Sequence, residues 1–313
     1  MLHLRLLVPA SLSAEVLALL EGRTGLAHLS VVTGASRLPR GDLVEADVVR
    51  ECADDLIGEL VALGLDRDGS IAVDAIELSV STRAERAAVQ APGNATDAMV
   101  WRDLEARVGQ DAELTGTFLT FLTIATLLAG IGIVTDSAIT IVGAMVLGPE
   151  FGPLAAIAVG LVRRRPALMR RGVVTLLVGF ALAMAVTAAA AFVAVRTEVF
   201  FPELVDLNIE TEFIYEPGFL SFVVAVLAGA AGMLSLTSRQ STALVGVFIS
   251  VTTVPAAGYV AVGLVLDEWD RVAGSAAQLG INVVGIVLSA VAMLLLRRAV
   301  RRRSIRRAAV RAA

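Results

Sequence analysis

The stretch from Asp136 to Leu161, DSAITIVGAMVLGPEFGPLAAIAVGL, has a counterpart from Arg239 to Leu264, RQSTALVGVFISVTTVPAAGYVAVGL. Aligned without gaps, the two stretches share six identities over twenty-six positions. Both are long enough to cross a bilayer, and both are interrupted by proline, at Pro149 and Pro153 in the first and at Pro255 in the second. Apolar segments broken by Gly and Pro at corresponding positions of two halves are a sequence indication of a transporter-type site near the bilayer midplane.

The composition supports a membrane protein with a separate soluble part. Hydrophobic residues make up 57% of the chain and the mean hydropathy is +0.79, which excludes an ordinary soluble globular protein. Residues 1 to 113 contain 10 Arg and 19 Asp or Glu, whereas the remainder contains 16 Arg and 11 acids. An acidic soluble domain therefore precedes a membrane domain.

The residues that most often bind metals and cofactors are sparse. Cys52 is the single cysteine, so no intramolecular disulfide can form, and we interpret it as a core residue. His3 and His28 are isolated in sequence, and we interpret both as structural. The sequence predicts no metal site and no cofactor.

Strand and helix patterns alternate over residues 1 to 82. The apolar spacing predicts the order βαββαβ of the ferredoxin-like split βαβ fold, a fold that names no function. The predicted segments are Leu2 to Val8, Ala14 to Glu21, Leu26 to Thr33, Asp42 to Val49, Arg50 to Leu63 and Ser70 to Ser81, with a turn from Gly34 to Gly41.

Residues 83 to 116 are predicted to join the two parts. The polar run from Arg83 to Gly93 indicates a linker, and Ala95 to Glu113 has an apolar side at helical spacing that includes Trp101. We expect this amphipathic helix to lie along the membrane surface with Trp101 at the headgroups. A helix packed on the soluble domain is the alternative.

Six apolar segments between residues 117 and 296 are each close to the ~20 residues needed to cross a bilayer. They are Thr117 to Val134, Ala138 to Leu161, Val173 to Val195, Phe219 to Leu236, Thr242 to Leu266 and Ala276 to Leu296. Arginines cluster between spans two and three, before span five and after span six, whereas the opposite loops are rich in carboxylates. By the positive-inside rule, both termini and the soluble domain are cytoplasmic, and the protein lies in the inner (plasma) membrane.

Two sets of three spans imply an inverted repeat, because an odd number of crossings reverses the orientation of the second half. The broken helix is second in each half, at spans two and five. Small-residue runs at Ala188 to Ala191 and at Gly229 to Gly232 predict close helix packing, including a contact between subunits of a homo-oligomer. The basic tail, residues 297 to 313, is expected to touch anionic lipid of the bilayer rather than nucleic acid.

The segment Gly143 to Pro153, GAMVLGPEFGP, resembles a recurring G-A-M-x-x-S-P-x-x-G-P-like motif of the prokaryotic membrane proteins called domain of unknown function 389, or the uncharacterised hydrophobic domain family. The likeness extends over roughly Thr117 to Leu296 and includes the second break, Ser250 to Pro255. Here Gly148 stands where Ser is common, and Glu150 stands where an apolar residue is expected. The resemblance implies a helical membrane protein. It implies no particular activity, because the family has no settled one.

The breaks are the candidate site. Proline removes backbone donors, so carbonyls between Met145 and Glu150 are expected to lack helical partners, with Gly148 and Gly152 loosening the chain. Pro153 suits the first position of a new half-helix, whose amides favour a negative partner. Glu150 is costly in the membrane, about 2.5 to 3.5 kcal/mol on insertion scales, and is expected to face the interior, where it can be protonated.

The second break supplies hydroxyls beside Pro255. If the two breaks meet, oxygen ligands from both form a site for a small hard cation, or a carboxyl that cycles a proton. These residues are Glu150, Ser250, Thr252 and Thr253, with Gln278 and Asn282 as donors behind them. The alternative is that the prolines only kink the helices and that Glu150 bonds across a subunit interface, with Gln278 and Asn282 joining helices.

Three classes of function compete. The first is a transporter or channel for a small ion or solute, regulated by the cytosolic domain. The second is a membrane-anchored ligand sensor or oligomeric scaffold without transport. An intramembrane enzyme is not expected, because the membrane half has no His or Cys and the chain lacks nucleophile-elbow, zinc-protease and phosphate-loop motifs.

Overall fold

The computed structural model describes residues 1–91, 100–198, 218–237 and 253–312. The chain divides into two compact units. The N-terminal unit comprises Met1–Leu104 together with Arg298–Ala313, and the second unit comprises Glu105–Arg297.

The N-terminal unit contains a four-stranded antiparallel sheet in the order β2-β3-β1-β4. Its elements are β1 (Leu2–Pro9), α1 (Ser13–Leu20), β2 (Leu26–Arg37), β3 (Arg40–Val48), α2 (Arg50–Ala62), the short α3 (Leu65–Asp68) and β4 (Ser70–Ala75). This is the predicted βαββαβ order with one extra helical turn. Alternate apolar residues of β1 are buried against α1 and α2, in a core that includes Leu4, Leu6, Leu20 and Leu56.

The hairpin between β2 and β3 differs from the prediction. The expected turn from Gly34 to Gly41 is largely strand, and the chain reverses between Arg37 and Arg40, which pair with each other. The register shifts between Val32 and Ser36, and Gly34 adopts a φ of +69° there. Glycine reaches this left-handed conformation without a steric penalty, so the strand continues through an irregularity where the sequence indicated a turn.

A helix, α4 (Thr82–Gln90), occupies most of the predicted polar linker. The Ser81 hydroxyl caps it by accepting a hydrogen bond from the Ala84 amide at 3.3 Å. Ala84 and Ala87 are buried in a cluster with Ala27 of β2 and with Val49. The sequence pattern did not indicate this narrow alanine face, because most residues of the segment are polar.

The amphipathic helix that follows is α5 (Trp101–Asp111). Trp101 is 5% exposed, and its amide donates to Asp54 Oδ1 at 2.9 Å. The expected position of Trp101 among lipid headgroups is therefore wrong, and the alternative of a packed helix holds. Its apolar side is buried by protein along its whole length, from Trp101 through Leu104 to Val108.

The second unit is a bundle of apolar helices. They are α6 (Gly116–Val134), α7 (Ala138–Leu147), α8 (Phe151–Arg163), α9 (Pro166–Arg196), α10 (Phe219–Thr237), α11 (Val254–Val265) and α12 (Trp269–Ala312), the last continuing into the N-terminal unit. Within the described residues, four helices are long and apolar enough to cross a membrane: α6, α9, α10 and α12. The pair α7 and α8, bent by 52° at their junction, makes a fifth if it is one broken span. The first part of predicted span five lies outside the described residues, and α11 is its remainder.

Glycines let the helices of this unit approach closely. A Cβ built on Gly160 of α8 would lie 2.8 Å from the Met169 amide nitrogen of α9, and one on Gly258 of α11 would lie 2.9 Å from the Ala129 Cβ of α6. Gly229 of α10 is held in the same way against Ile286 of α12. Small residues at such crossings favour helix association in lipid, and the Gly229 surface is used within the chain.

Candidate functional site

The first helix break is a three-residue interruption at Gly148, Pro149 and Glu150. Gly148 is extended, with φ −66° and ψ 120°, because a residue that precedes proline is disfavoured in the helical region. Pro149 has no N–H, so the Met145 carbonyl cannot form its helical bond. The chain resumes helical bonding when the Leu154 amide donates to the Glu150 carbonyl at 3.2 Å. Glu150 itself therefore keeps a helical partner for its carbonyl, contrary to the expectation for that residue.

Helix α8 begins at Phe151, two residues before the predicted start at Pro153. Pro153 is nonetheless in the first turn, where backbone amides have no helical acceptor and a proline costs little. Pro153 is buried, and its carbonyl lies near Gly172 of α9, where an added Cβ would approach it to 2.5 Å. This close packing holds the start of α8 against α9.

The Glu150 side chain is fully buried, as predicted. Its Oε1 accepts a hydrogen bond from the Thr253 hydroxyl at 2.5 Å, and Thr253 is also fully buried. Glu150 immediately precedes α8, and Thr253 immediately precedes α11. The hydrogen bond therefore joins the residue that precedes α8, at the first break, to the residue that precedes α11.

Pro255 is the second residue of α11 and is buried there. Both half-helices start next to the Glu150 carboxyl, so two helix N-termini converge on one acidic side chain. Each N-terminus carries a partial positive charge that favours a negative partner. The carboxyl group of Glu150 supplies such a partner in a region closed to bulk water.

The other predicted residues have different positions. Gln278 and Asn282, both on α12, are buried, with 4% and 0% exposure, and the Gln278 amide donates to Asn282 Oδ1 at 3.3 Å. This contact along one helix does not bring either side chain to Glu150. Ser250 and Thr252 lie outside the described residues.

A cavity of about 350 Å³ adjoins the break, and the sequence did not reveal it. The end of α5, the start of α6 and the break line it, including Asp111, Thr117, Pro149 and Gly152. Gly152 permits Asp111 to lie against the first turn of α8, because a Cβ added to Gly152 would lie 2.6 Å from the Asp111 Cβ. Partial burial raises the pKa of Asp111, and the charge of Arg107 opposes that shift.

The signal that could have indicated Asp111 is weak in the sequence. An acidic residue before an apolar span usually marks a solvated helix end, and only the fold brings Asp111 against Gly152, forty-one positions later in the chain. The ion pairs Glu105 to Arg163, at 2.6 Å, and Glu113 to Arg171, at 3.3 Å, tie this end of α5 to α8 and α9.

The fold and the buried break together define a helical membrane protein, in which the described part of the chain contains four to five apolar helices that are able to span a bilayer. Residues 145–288 match the family model described as Domain of unknown function (DUF389), which confirms the resemblance noted at the first break. The matched region includes the first helix break and the Glu150 to Thr253 contact. No curated protein and no solved structure matches the chain.

Proposed function

We propose that this protein transports a small ion or solute across the membrane, and that Glu150 is the carboxyl group that binds and releases the transported or coupling ion. The observation that carries the proposal is the buried hydrogen bond between Glu150 and Thr253, which joins the starts of α8 and α11. Interrupted helices that meet inside a membrane domain are a recurring way to build an ion or substrate site.

The spacing of the helices supports a 3+3 inverted repeat. Helices of the second half start 103 residues after their counterparts, at 116 and 219, at 151 and 254, and at 166 and 269. The first of these pairs also ends with the same spacing, at Val134 and Thr237. The sequence alignment of the two broken stretches has the same offset.

Contacts also repeat with this offset. Gly160 of α8 faces Met169 of α9, and the equivalent Gly263 of α11 faces Val272 of α12, the equivalent of Met169. Glu150 and Thr253 are themselves equivalent positions, and they bond to each other. Equivalent residues touch where a two-fold axis passes between them, so the hydrogen bond marks the pseudo-two-fold axis of the proposed repeat.

The length of α11 supports a site within the membrane. Its twelve residues extend about 18 Å at 1.5 Å per residue, whereas the hydrocarbon core is about 30 Å thick. If Val265 lies at one surface, Thr253 lies inside the bilayer near its middle. The three spans of each half then give six, with residues 242 to 266 as the fifth.

The charges around Glu150 favour a proton over a bare metal cation as the ion exchanged there. Two helices begin directly after Glu150 and Thr253, and the partial positive charges of their N-termini disfavour a cation that carries no compensating ligand charge. A proton neutralises the carboxyl without placing a net positive charge between them. Cycling between carboxylate and carboxylic acid is therefore the chemistry that we assign to Glu150, with no catalytic step by this chain.

The orientation follows from the arginines. In this proposal the inner membrane holds the protein, with both termini and the N-terminal domain in the cytoplasm, where that domain regulates transport. The Arg297 guanidinium donates to the Thr237 carbonyl at 3.1 Å, so the end of α10 lies next to the end of the apolar part of α12, which supports an assignment of both to one membrane surface. The protein is proposed to act as a homo-oligomer in the lipid bilayer.

The test is ion and proton flux in proteoliposomes, with Glu150→Gln compared against the unmutated protein at equal reconstitution. Glu268→Gln is the matched control, because Glu268 pairs with Arg271 beyond the end of α11, away from the break. We expect Glu150→Gln to abolish coupled flux and Glu268→Gln to keep it. Absence of flux in all three proteins, each shown to be folded, would instead favour the ligand sensor or scaffold without transport.

A further inference from the structure

The cavity beside the break, called here the α5–α6 cavity, is a feature that the proposed site does not itself use. It is lined by Asp111, Thr115, Thr117, Phe121, Pro149 and Gly152, among others. Its polar residues come from the end of α5 and the start of α6, whereas Pro149 belongs to the break and Gly152 to the first turn of α8. The cavity therefore runs from the end of the bundle to the helix interruption.

The position of the cavity relates it to Glu150. Pro149 directly precedes Glu150, and Gly152 follows it by two residues. Glu150 itself is fully buried and is not among the residues that line the cavity. The residues that flank Glu150 form part of the cavity wall, so the cavity lies beside the backbone that carries the buried carboxyl.

The size of the cavity decides what it can hold. A volume of about 350 Å³ greatly exceeds a dehydrated ion and corresponds to roughly ten water molecules at about 30 Å³ each. It is near the lower limit of pockets that bind small molecules, about 300 Å³. The cavity suits a positive ion that keeps its water, including a hydrated proton.

The two carboxylates that line the cavity, Glu113 and Asp111, have different surroundings. Glu113 pairs with Arg171 at 3.3 Å, and the same guanidinium donates to the Gly109 carbonyl. Asp111 is exposed to solvent and lies against Gly152, where partial desolvation raises the pKa of its carboxyl and the charge of Arg107 opposes that shift. A carboxylate in this position attracts positive ions to the cavity, and it takes up protons more readily than a carboxylate in water.

We propose that the α5–α6 cavity is the entrance through which hydrated positive ions, protons included, reach Glu150, and that Asp111 is the residue that concentrates them there. The inference rests on the proposed function of Glu150. It adds that the present conformation is open toward the end of the membrane unit that carries α5, and closed at Glu150.

Accessibility can be tested without any transport assay. Cys52 is the single cysteine, so Cys52→Ser provides a background for Thr117→Cys in the cavity and Ala125→Cys in the buried core two turns further along α6. We expect a membrane-impermeant maleimide to label Thr117→Cys from one side of sealed vesicles only, and to leave Ala125→Cys unlabelled. Protection of Thr117→Cys from both sides would contradict the proposal that the α5–α6 cavity is an entrance for ions.

The role of Asp111 is tested by the concentration dependence of flux. We expect Asp111→Asn to raise the KM for the ion about tenfold while leaving the maximal rate near that of the unmutated protein, and Asp111→Glu to restore the KM. An unchanged KM in Asp111→Asn would overturn this role. A proton gradient and a metal-ion gradient, imposed separately, identify which ion enters.

The two proposals fail in distinguishable ways. One-sided labelling of Thr117→Cys without flux in any variant would retain the cavity as an aqueous opening and reject both its role as an ion entrance and the proposed function. Flux that depends on Glu150, with Thr117→Cys protected, would retain the function and reject the entrance.

Discussion

At the scale of single residues, the buried carboxyl of Glu150 is the decisive feature. An acid without a partner in an apolar interior costs several kcal/mol, so its position depends on hydrogen bonds that the fold supplies. The Thr253 hydroxyl provides one of them at 2.5 Å. The burial of the Glu150 carboxyl thus depends on the packing of two segments that lie 103 residues apart.

Removing the Thr253 hydroxyl should weaken the fold of the membrane unit. We expect Thr253→Val to lower the free energy of unfolding by about 1 to 2 kcal/mol, because a buried acceptor loses its donor while side-chain volume is retained. Thermal unfolding in detergent measures the change, with Thr253→Ser as the control that keeps the hydroxyl. Equal stability of the Val and Ser variants would contradict the importance of this bond.

Asp111 should make stability depend on pH. Since folding raises the pKa of Asp111 above its ordinary value of 3.8, the folded state binds this proton more tightly than the unfolded chain does. The favourable contribution is full below pH 3.8 and is lost as the pH rises through the folded pKa. We therefore expect Asp111→Asn to have a higher Tm than the unmutated protein at pH 7.

The comparison should be repeated at lower pH, in steps toward 3.8. The advantage of Asp111→Asn should shrink there, because the unmutated carboxyl becomes protonated and resembles the amide. A difference in Tm that stays constant from pH 7 to pH 4 would contradict the raised pKa.

At the scale of elements, glycine contacts set the distances between helices. Gly160 and Gly172 hold α8 against α9, where added Cβ atoms would meet backbone at 2.8 Å and 2.5 Å. Backbone cannot yield as the end of a long side chain can, so α8 keeps its position only while these glycines remain. The position of α8 in turn places Glu150 next to Thr253.

Substitution of two glycines should have opposite effects. Gly160→Ala is expected to destabilise the unit by about 1 to 3 kcal/mol through overpacking against α9. Gly143→Ala in α7 meets no atom within 4 Å and is expected to stabilise by about 0.5 to 1 kcal/mol through helix propensity. Thermal unfolding of both variants gives the comparison, and a Gly160→Ala protein as stable as Gly143→Ala would refute the close contact.

At the scale of the whole molecule, the proposed repeat predicts on which side of the membrane each connection lies. The α6–α7 and α11–α12 connections should lie on one surface, and the α8–α9 connection on the other. Arg271 donates to the Tyr259 hydroxyl at 3.5 Å, and Tyr259 packs with Ile133 and Ile141. These contacts bring the first two connections to the same end of the bundle.

Single cysteines in the Cys52→Ser background test this arrangement. We expect Thr135→Cys and Asp270→Cys, both at exposed positions, to be labelled by an impermeant maleimide from the outside of intact cells. Ala167→Cys, exposed in the first turn of α9, should be labelled only after the membrane is opened. Labelling of all three from outside would contradict the proposed topology.

Much of the fold could be predicted from sequence because it depends on local patterns. Apolar length and proline position indicated the spans and the first break, and the predicted starts of α6 and α10 lie within one residue of those observed. Period-two alternation indicated the strands of the sheet. The alanine face of α4 and the burial of Trp101 were missed, since each depends on the surface that the helix packs against.

The sequence by itself determined that membrane-length apolar segments follow a separate N-terminal domain, that prolines lie within two of those segments, and that Glu150 lies at one of these prolines. These properties follow from hydropathy and from the missing amide of proline, which act over a few residues. Only the tertiary structure decided that Thr253 bonds to Glu150 and that Asp111 lies against Gly152 beside a cavity. Such contacts join distant segments through helix packing, and their geometry is set by glycines whose role is visible only once the neighbouring helix is in place.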